Sequence, residues 1–470
     1  MTAPAAVAYL RSQFINHARI FYNPPAADLL RSEAIRFLSY AESAAVRGPQ
    51  VVIPVDLPVP AVPESPWRVE FNGTVLTLWN RAPKPDDDGW EPIPDEAAPV
   101  WYRHTSGTLL PAWNLLGNSL KLLTFGEERN PSQRDRHGRF AAAFSPRLDR
   151  GLLEVPAVNE TVALLVAAVD GLRTTGRPAF TLAVQPKPPI VVLSHDCDIL
   201  LGNDFWTQAV RGYRTLQPLA RLRPPRLGNL WWLVRNAVTP RRFYFDNATG
   251  MVDIERCFGY NSTYYLLNGA TGRFGARNPF SVIPQLLDHL PPRWDIGMHY
   301  NYDTFLQADR FAAQLRQLQQ ATSRPIVTGR AHYLKFDPFR SFAFLRQFDL
   351  YTDESSGYAD RIGYRNGIAG AFQAFDTETQ TPLDIWETPL TMMEATLVEQ
   401  YGATAVEVVM RHLHHLRRIG GALTIVVHPG QFFNPEYRPM LGFYHELLKG
   451  FRLLGATSAT ARGLVDQVRA

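Results

Sequence analysis

Beyond Pro189 the chain keeps repeating one arrangement, a short apolar run rich in β-branched residues followed by a stretch with helical periodicity. The runs are Ile190 to Ser194, Ser262 to Leu267, Trp294 to His299, Pro325 to Thr328, Phe348 to Tyr351, Ile385 to Leu390 and Leu423 to His428. Between them, Phe311, Leu315 and Leu318 share one helical face. So do Val406, Val409, Met410, Leu413 and Leu416, with Gly420 and Gly421 as the stop. Strands and helices that alternate about seven times call for parallel strands joined by crossover helices, because a parallel neighbour cannot be reached by a hairpin. In barrels built this way the chemistry sits at the C-terminal ends of the strands. Those ends carry polar residues here: His195, Asp196 and Asp198; His299 and Asp303; Arg330 and His332; Asp353; His428.

The first part of the chain has a different texture. Helical patterns cover Ala5 to Arg19 and Ala26 to Ala45, and the proline-rich passage Pro54 to Pro66 cannot be helix. Trp67 to Phe71 and Thr74 to Trp79 alternate with period two around Asn72-Gly73, which predicts a hairpin. Pro83 to Pro94 reads as an acidic loop, and Leu115 to Ala168 as mostly helix broken at Glu127 to Arg139. The Gly- and Pro-rich segment Gly171 to Pro189 marks the domain boundary. The expectation is an α+β accessory domain over 1–185 and a (β/α) barrel over 186–470.

Composition narrows the function classes. With 46% hydrophobic and 20% charged residues, the 470-residue chain can bury a large core and is not disordered. Its longest apolar run, Val162 to Val169, is far short of the roughly 20 residues that span a bilayer. Arg11, His17 and Arg19 interrupt any secretion-type apolar stretch near Met1, so a cytosolic location is expected. The 48 basic residues are scattered among 44 acidic ones. Clusters such as Arg221-Leu-Arg-Pro-Pro-Arg226 and Arg241-Arg242 are too small for a nucleic-acid footprint. Cys197 and Cys257 are the only cysteines, so a metal here must use histidine and carboxylate ligands. The sequence sets no oligomeric state.

The strand-end residues suit metal ligation and acid–base chemistry. In Val191-Val-Leu-Ser-His195-Asp196-Cys197-Asp198 the two carboxylates lie two apart on an extended backbone, so both point to one side. With a cation present, one can be a ligand and the other a base. The structural alternative is a turn in which they cap local amides. His299 and Asp303, four apart, share a face if a helical turn begins there. Imidazole and carboxylate together suit Zn²⁺, with Mn²⁺, Fe²⁺ or Co²⁺ also fitting. Arg330 and His332 follow the next strand. His428 ends the last and could protonate a leaving group.

These pieces in this order resemble the polysaccharide deacetylase (NodB-like) family, over roughly Pro189 to Thr460. The resemblance implies a distorted (β/α)7 barrel and a metal-dependent hydrolase that removes acetyl groups from N-acetylated sugars. It implies Asp196 as base, Asp198 and His299 as metal ligands, Arg330 as the residue that orients the base, and His428 as general acid. Ser262-Thr-Tyr-Tyr-Leu is similar to the family's Thr-Phe-Phe stretch. The usual second histidine of the second motif is Asp303 here. The third ligand is therefore Asp303 or His332, with His332 favoured by the Arg-x-His-Tyr-Leu pattern of a bacterial subgroup that has an extra N-terminal domain. Tyr358 to Gly367 is similar to that subgroup's Gly-Phe-Arg-x-Gly signature, and Phe125 to Phe140 to its appended domain. Tyr300, Tyr333 and Arg365 are the expected substrate contacts, with a carbohydrate as partner and Zn²⁺ first among the metals. A barrel of this kind that had lost its metal would leave a non-catalytic glycan-binding protein, and one with another pocket an amidohydrolase on a small N-acyl compound.

Other candidates are set aside. His412, His414 and His415 are expected on a solvated helix face. Gly269 to Gly275 lacks the spacing of a phosphate-binding loop, and Met392-Met393 and Trp231-Trp232 suit a core. Cys197 sits between two aspartates that would suppress its thiolate.

Overall fold

The computed structural model describes residues 4–200, 205–221, 224, 234, 243–269, 278, 280–431 and 439–469. Most of the basic cluster from Arg221, together with Arg241-Arg242, Trp231-Trp232 and most of Gly269 to Gly275, lies outside the described residues.

Two sheets organise the chain. The first uses β1 (Ile35–Leu38), β2 (Val51–Pro54), β5 (Trp90–Ile93), β6 (Trp101–His104) and β7 (Leu109–Pro111), in the order β1-β2-β7-β6-β5. Between β2 and β5, strands β3 (Trp67–Phe71) and β4 (Thr74–Leu78) form a separate antiparallel hairpin. Asn72 and Gly73 at its tip both take positive φ, 49° and 72°, as a two-residue turn matched to strand twist requires. Ala26 to Ala45 is not one helix. The helix Ala26–Arg31 stops where Ser32 turns extended, and β1 then pairs in parallel with β2. Ser39 starts a new turn through a capping box with Glu42. Helical periodicity alone could not show that β2 offers this segment a partner. The acidic passage likewise ends in β5, where buried Trp90 anchors the pairing with β6. From Leu115 onward the helices are Leu115–Leu123 and Ala157–Thr175, and the break between them, residues 124–156, is wider than expected.

The second sheet holds the expected strands, in the order β13-β14-β12-β11-β10-β9-β8-β16-β15. They are β8 (Ile190–Cys197), β9 (Ser262–Leu267), β10 (Asp295–Tyr300), β11 (Thr328–Ala331), β12 (Thr352–Asp353), β13 (Phe372–Asp376), β14 (Thr381–Glu387), β15 (Met392–Met393), β16 (Ala422–Val426) and β17 (Thr457–Ser458). All neighbours on this path pair in parallel except the edge hairpin β13-β14, and β17 adds a parallel pairing to β8. β11 and β12 begin some residues later than their apolar runs suggest, so Arg330 lies inside β11. The sheet is curled. Arg330 on β11 hydrogen-bonds Ser194 and Asp196 on β8, three strand spacings away, or about 14 Å on a flat sheet. Such contact requires a concave inner face, a curled half-barrel rather than a flat open sheet. The helix Ala308–Thr322 buries the predicted Phe311, Leu315 and Leu318, and Ala405–Ile419 buries Val409, Leu413 and Leu416 of its predicted stripe, with Val408 and Ile419 in place of Val406 and Met410. No helix among the described residues is long and apolar enough to cross a membrane.

One apolar core runs through both parts, joining Leu10, Val162, Val191 and Leu416. Polar groups stitch the seam. Asn159 donates to the Ala369 and Gly420 carbonyls and accepts from Ala369 N. Arg147 donates to the carbonyls of Tyr364 and Arg365 and pairs with Glu127. Arg365 in turn pairs with Glu128, at 2.7 and 2.5 Å. The histidines on Ala405–Ile419 belong to this seam, which corrects the solvated-face expectation. His412 is buried against Tyr364 and Glu154, and His415 sits between Thr74 and Glu160. Only His414 faces solvent. Their partners come from distant segments, which a helical wheel cannot show.

Truncating one member of a buried pair strands the other's charge. Glu128→Ala should therefore destabilise the protein by roughly 3–5 kcal/mol, read as a lower urea midpoint with an unchanged slope. A loss below about 1 kcal/mol, the range of exposed pairs, would contradict the seam's role.

Candidate active site

Alternation along β8 divides its end between two faces. Ser194, Asp196 and Asp198 point into the concave side, while His195 and Cys197 point away. His195 is fully buried, with Nδ1 2.9 Å from the Val427 carbonyl and Nε2 2.6 Å from Glu255. Glu255 also accepts from Ser262, Trp294 and Tyr444. His195 is thus a core histidine with both nitrogens engaged. Burial pushes the Cys197 thiol well up, and Asp196 and Asp198 add to that, so it supplies no nucleophilic thiolate.

On the concave side, one ligand atom from each of Asp198, His299 and His332 lies within 4.8 Å of the others. Asp198 Oδ1 is 3.3 Å from His299 Nε2 and 3.5 Å from His332 Nε2. Tetrahedral ligands about 2.1 Å from a zinc ion stand about 3.4 Å apart. His299 Nδ1 lies 2.9 Å from the Arg330 carbonyl. A carbonyl only accepts, so Nδ1 carries a proton and Nε2 is the nitrogen that faces Asp198; burial works against a charge on His299, and Asp196 and Asp198 outweigh it and raise its pKa. Asp198 Oδ1 is buried without a hydrogen-bond partner. A carboxylate oxygen facing imidazole nitrogens is an arrangement that either a proton on the ring or a metal cation completes. Burial lowers the His332 pKa to about 4 against the pull of Asp198, which keeps that imidazole in its ligating, neutral form. Burial would raise the Asp198 pKa, but His332 and His299 more than offset it and hold the carboxyl below its usual range. The carboxyl groups of Asp196, Asp198, Glu354 and Glu394 line this side of the site, with Arg330 and His428 as their cationic partners.

Asp196 is held differently. Its Oδ1 takes Arg330 Nη1 at 2.7 Å, while Oδ2 stays 3.6 Å from His299 and 3.8 Å from His428. Burial works against its ionised form, and Arg330, His299 and His428 outweigh it, so the pKa is lowered. Arg330 is wholly buried and bonded to Ser194 (2.7 Å), Glu354 Oε2 (2.5 Å) and the Glu354 carbonyl (3.2 Å). Its guanidinium lies 4.6 Å from the Tyr265 ring, and the Tyr265 hydroxyl donates to Glu354. Gly297 makes room for this, since a Cβ there would come within 2.3 Å of the Tyr265 ring. Burial raises the Glu354 pKa to about 7 despite Arg330. On the opposite side, His428 Nδ1 lies 2.8 Å from Glu394 Oε1. Burial alone would lower the His428 pKa. Glu394, then Asp196 and Asp198, push it up to about 10.

The structure thus brings together Asp196, Asp198, His299, Arg330, His332 and His428. Asp303 is not among the converging ligand atoms of the described residues. It lies in a 3₁₀ turn 3.8 Å from Arg310 and near Lys335, because the chain leaves β10 without the helical turn that would have aimed it inward. Of the expected substrate contacts, Tyr333 is 38% exposed with its ring 4.7 Å from His332. Tyr300 points to the outer face, packs on Phe311 and fills the space beside Gly329. Arg365 is buried in its pair with Glu128. Both expectations are corrected, the first by strand alternation and the second by a partner 237 residues away. Sequence reasoning missed Glu354 and Glu394. Glu354 adjoins the noted strand end Asp353. Glu394 follows β15, a two-residue strand too short to stand out, although it obeys the same strand-end rule.

Glu394 is the largest of the groups that raise the His428 pKa, so Glu394→Gln should lower it. In metal-free protein, the His428 ring resonance followed by NMR should titrate at least two pH units below the wild-type value. An unchanged midpoint would mean that Glu394 does not hold the proton there.

No protein-family model matches the sequence, and no curated protein matches it. Solved structures do. A protein described as a polysaccharide deacetylase from Mycobacterium smegmatis aligns at 16% identity and a TM-score of 0.39, covering 60% of this chain and 91% of its own. The peptidoglycan deacetylase PdaC from Bacillus subtilis aligns at 11% identity and 0.32, covering 60% and 93%. A CE4-family pseudoenzyme from Bacillus anthracis aligns at 12% and 0.28, covering 60% and 69%.

Proposed function

We propose that this protein is a metal-dependent deacetylase acting on N-acetylated sugars of a surface polysaccharide or its precursor. One observation carries the reading: a one-carboxylate, two-imidazole ligand set lies beside a carboxylate held by arginine and opposite a protonated histidine. One aspartate and two histidines suit Zn²⁺ and leave open positions, as a catalytic site needs. When bound there, the ion would supply Lewis acidity toward the acetyl carbonyl and make a water more acidic.

The chain's own groups do the rest. Asp196 has one oxygen fixed by Arg330 and the other turned to the ligand cluster, so Oδ2 is placed to take a proton from water. Arg330 keeps that carboxylate ionised and aimed. Nε2 of His428 is 3.8 Å from Asp196 Oδ2, so the acid and the base border the same part of the site. With Nδ1 bound to Glu394, it donates its Nε2 proton to the departing sugar amine. The proton leaves water at Asp196 and a different one reaches nitrogen from His428, so the base and the acid are separate groups. The exposed Tyr333 ring offers a face for a sugar ring. The free Cys197 and Cys257 suit a reducing compartment, in keeping with a cytoplasmic enzyme that acts on precursors.

Asp198→Ala should abolish both stoichiometric Zn²⁺ binding, by calorimetry, and acetate release from N-acetylated oligosaccharides, by at least a thousandfold. A variant that loses the metal yet keeps full turnover would sink the scheme. Wild-type protein that binds the oligosaccharide and Zn²⁺ but releases no acetate would instead be a glycan-binding protein.

A further inference from the structure

The mouth of this cleft is not made by the barrel alone. Tyr333, directly after the ligand His332, takes a left-handed backbone (φ 62°), and so does Leu334 (φ 51°). Side chains with a Cβ rarely adopt that region, and two in succession need outside support. The support comes from the N-terminal part of the chain. Arg139 Nη1 donates to the Tyr333 carbonyl at 2.7 Å. The His137 ring lies 5.2 Å from the Tyr333 ring, and its Nδ1 is 3.3 Å from the Tyr302 hydroxyl. The loop that carries these two residues is braced internally. Asp135 pairs with the Arg139 guanidinium and accepts from the backbone N–H of His137 and Arg139. Asp135 N also donates to the Arg139 carbonyl. A loop braced by its own hydrogen bonds, from another part of the chain, therefore meets the exposed Tyr333 that follows His332.

We propose that the segment Asp135–Arg139 forms one wall of the substrate cleft, with His137 and Tyr333 as the surface on which a sugar ring next to the acetylated one lies, and Arg139 as the positioning residue that holds Tyr333 in place. This rests on the deacetylase reading for the identity of the substrate. Carbohydrates offer a face of C–H groups to aromatic rings and hydroxyls to imidazole, and this pair presents both. The wall also gives the N-terminal part a task in selectivity. A glycan long enough to reach it is held, whereas a monosaccharide is not.

The test uses full-length Zn²⁺-loaded protein, penta-N-acetylchitopentaose as probe, and the variants His137→Ala, Arg139→Ala and Arg139→Lys. For both alanine variants KM should rise at least tenfold while kcat falls less than threefold. Arg139→Lys, which can still donate to the Tyr333 carbonyl, should recover most of the loss. The Zn²⁺ Kd should stay within twofold of wild type. KM values within twofold of wild type would overturn the proposal. So would a Zn²⁺ Kd that weakens in step with KM, since the loop would then only brace His332. If the wild type releases no acetate, that failure belongs to the deacetylase reading, and the wall is judged by calorimetric binding of the same probe to metal-free protein. Tenfold weaker binding in both alanine variants supports the wall; equal affinities, or no wild-type binding, overturn it.

Discussion

The architecture of the site depends on one buried guanidinium. Arg330 has no exposed surface, and a cation taken out of water is tolerated only when its donors are spent on good acceptors. They are spent on Asp196, Ser194, Glu354 and the Glu354 carbonyl, with the Tyr265 ring below. These partners belong to β8, β9 and the chain after β12, so satisfying the charge draws separated strands together and keeps the sheet curled. The residue also works through its backbone, because its carbonyl fixes the tautomer of His299. The side chain aims the Asp196 carboxylate and the main chain aims the His299 imidazole, so both depend on one position in β11.

That position is supported from outside the barrel. Glu354 opens the stretch that runs to β13, and the N-terminal part grips this stretch through Arg147, Asn159 and the Glu128–Arg365 pair. Each of these is a buried polar contact whose loss would leave a charge or carbonyl unmatched. The helix Ala157–Thr175 is buried along almost its whole length, packed against the helices Pro4–Phe21, Ala26–Arg31 and Ala405–Ile419 and against β4. The N-terminal part is therefore not an appendage on a tether. Its core is continuous with that of the barrel, and it holds the segment that supplies the arginine's second carboxylate.

Much of this was legible in sequence, for a physical reason. Parallel strands buried on both faces must be short and apolar, so runs such as Val191-Val-Leu and Leu423-Thr-Ile-Val announce themselves, and polar residues at their ends stand out. Asp196, Asp198, His299, Arg330, His332 and His428 were found in this way and lie around one cleft. What depended on a distant partner was not legible. Nothing near Arg365 reveals Glu128, and nothing on the helix of His412 reveals Glu154. Tyr300 and Asp303 failed for a local reason, since one residue of strand alternation or one missing helical turn decides which face a side chain takes. β1 was hidden because its residues fit a helix equally well until β2 supplies a neighbour.

The cleft also shows how a few residue types are given different tasks. Asp196 and Asp198 share a strand and a direction, yet one has an oxygen committed to Arg330 and the other has only imidazoles for company. That difference suits one to the proposed role of base and the other to that of ligand. The histidines divide in the same way. His332, buried with one carboxylate beside it, is brought down to about 4 and stays neutral, as a ligand must. His428, somewhat more exposed, sits against Glu394 and within reach of Asp196 and Asp198, and is pushed up to about 10. Two imidazoles in one pocket thus hold opposite protonation states at neutral pH, which is the separation that acid–base chemistry beside a metal needs. Glu394 decides which of them carries the proton.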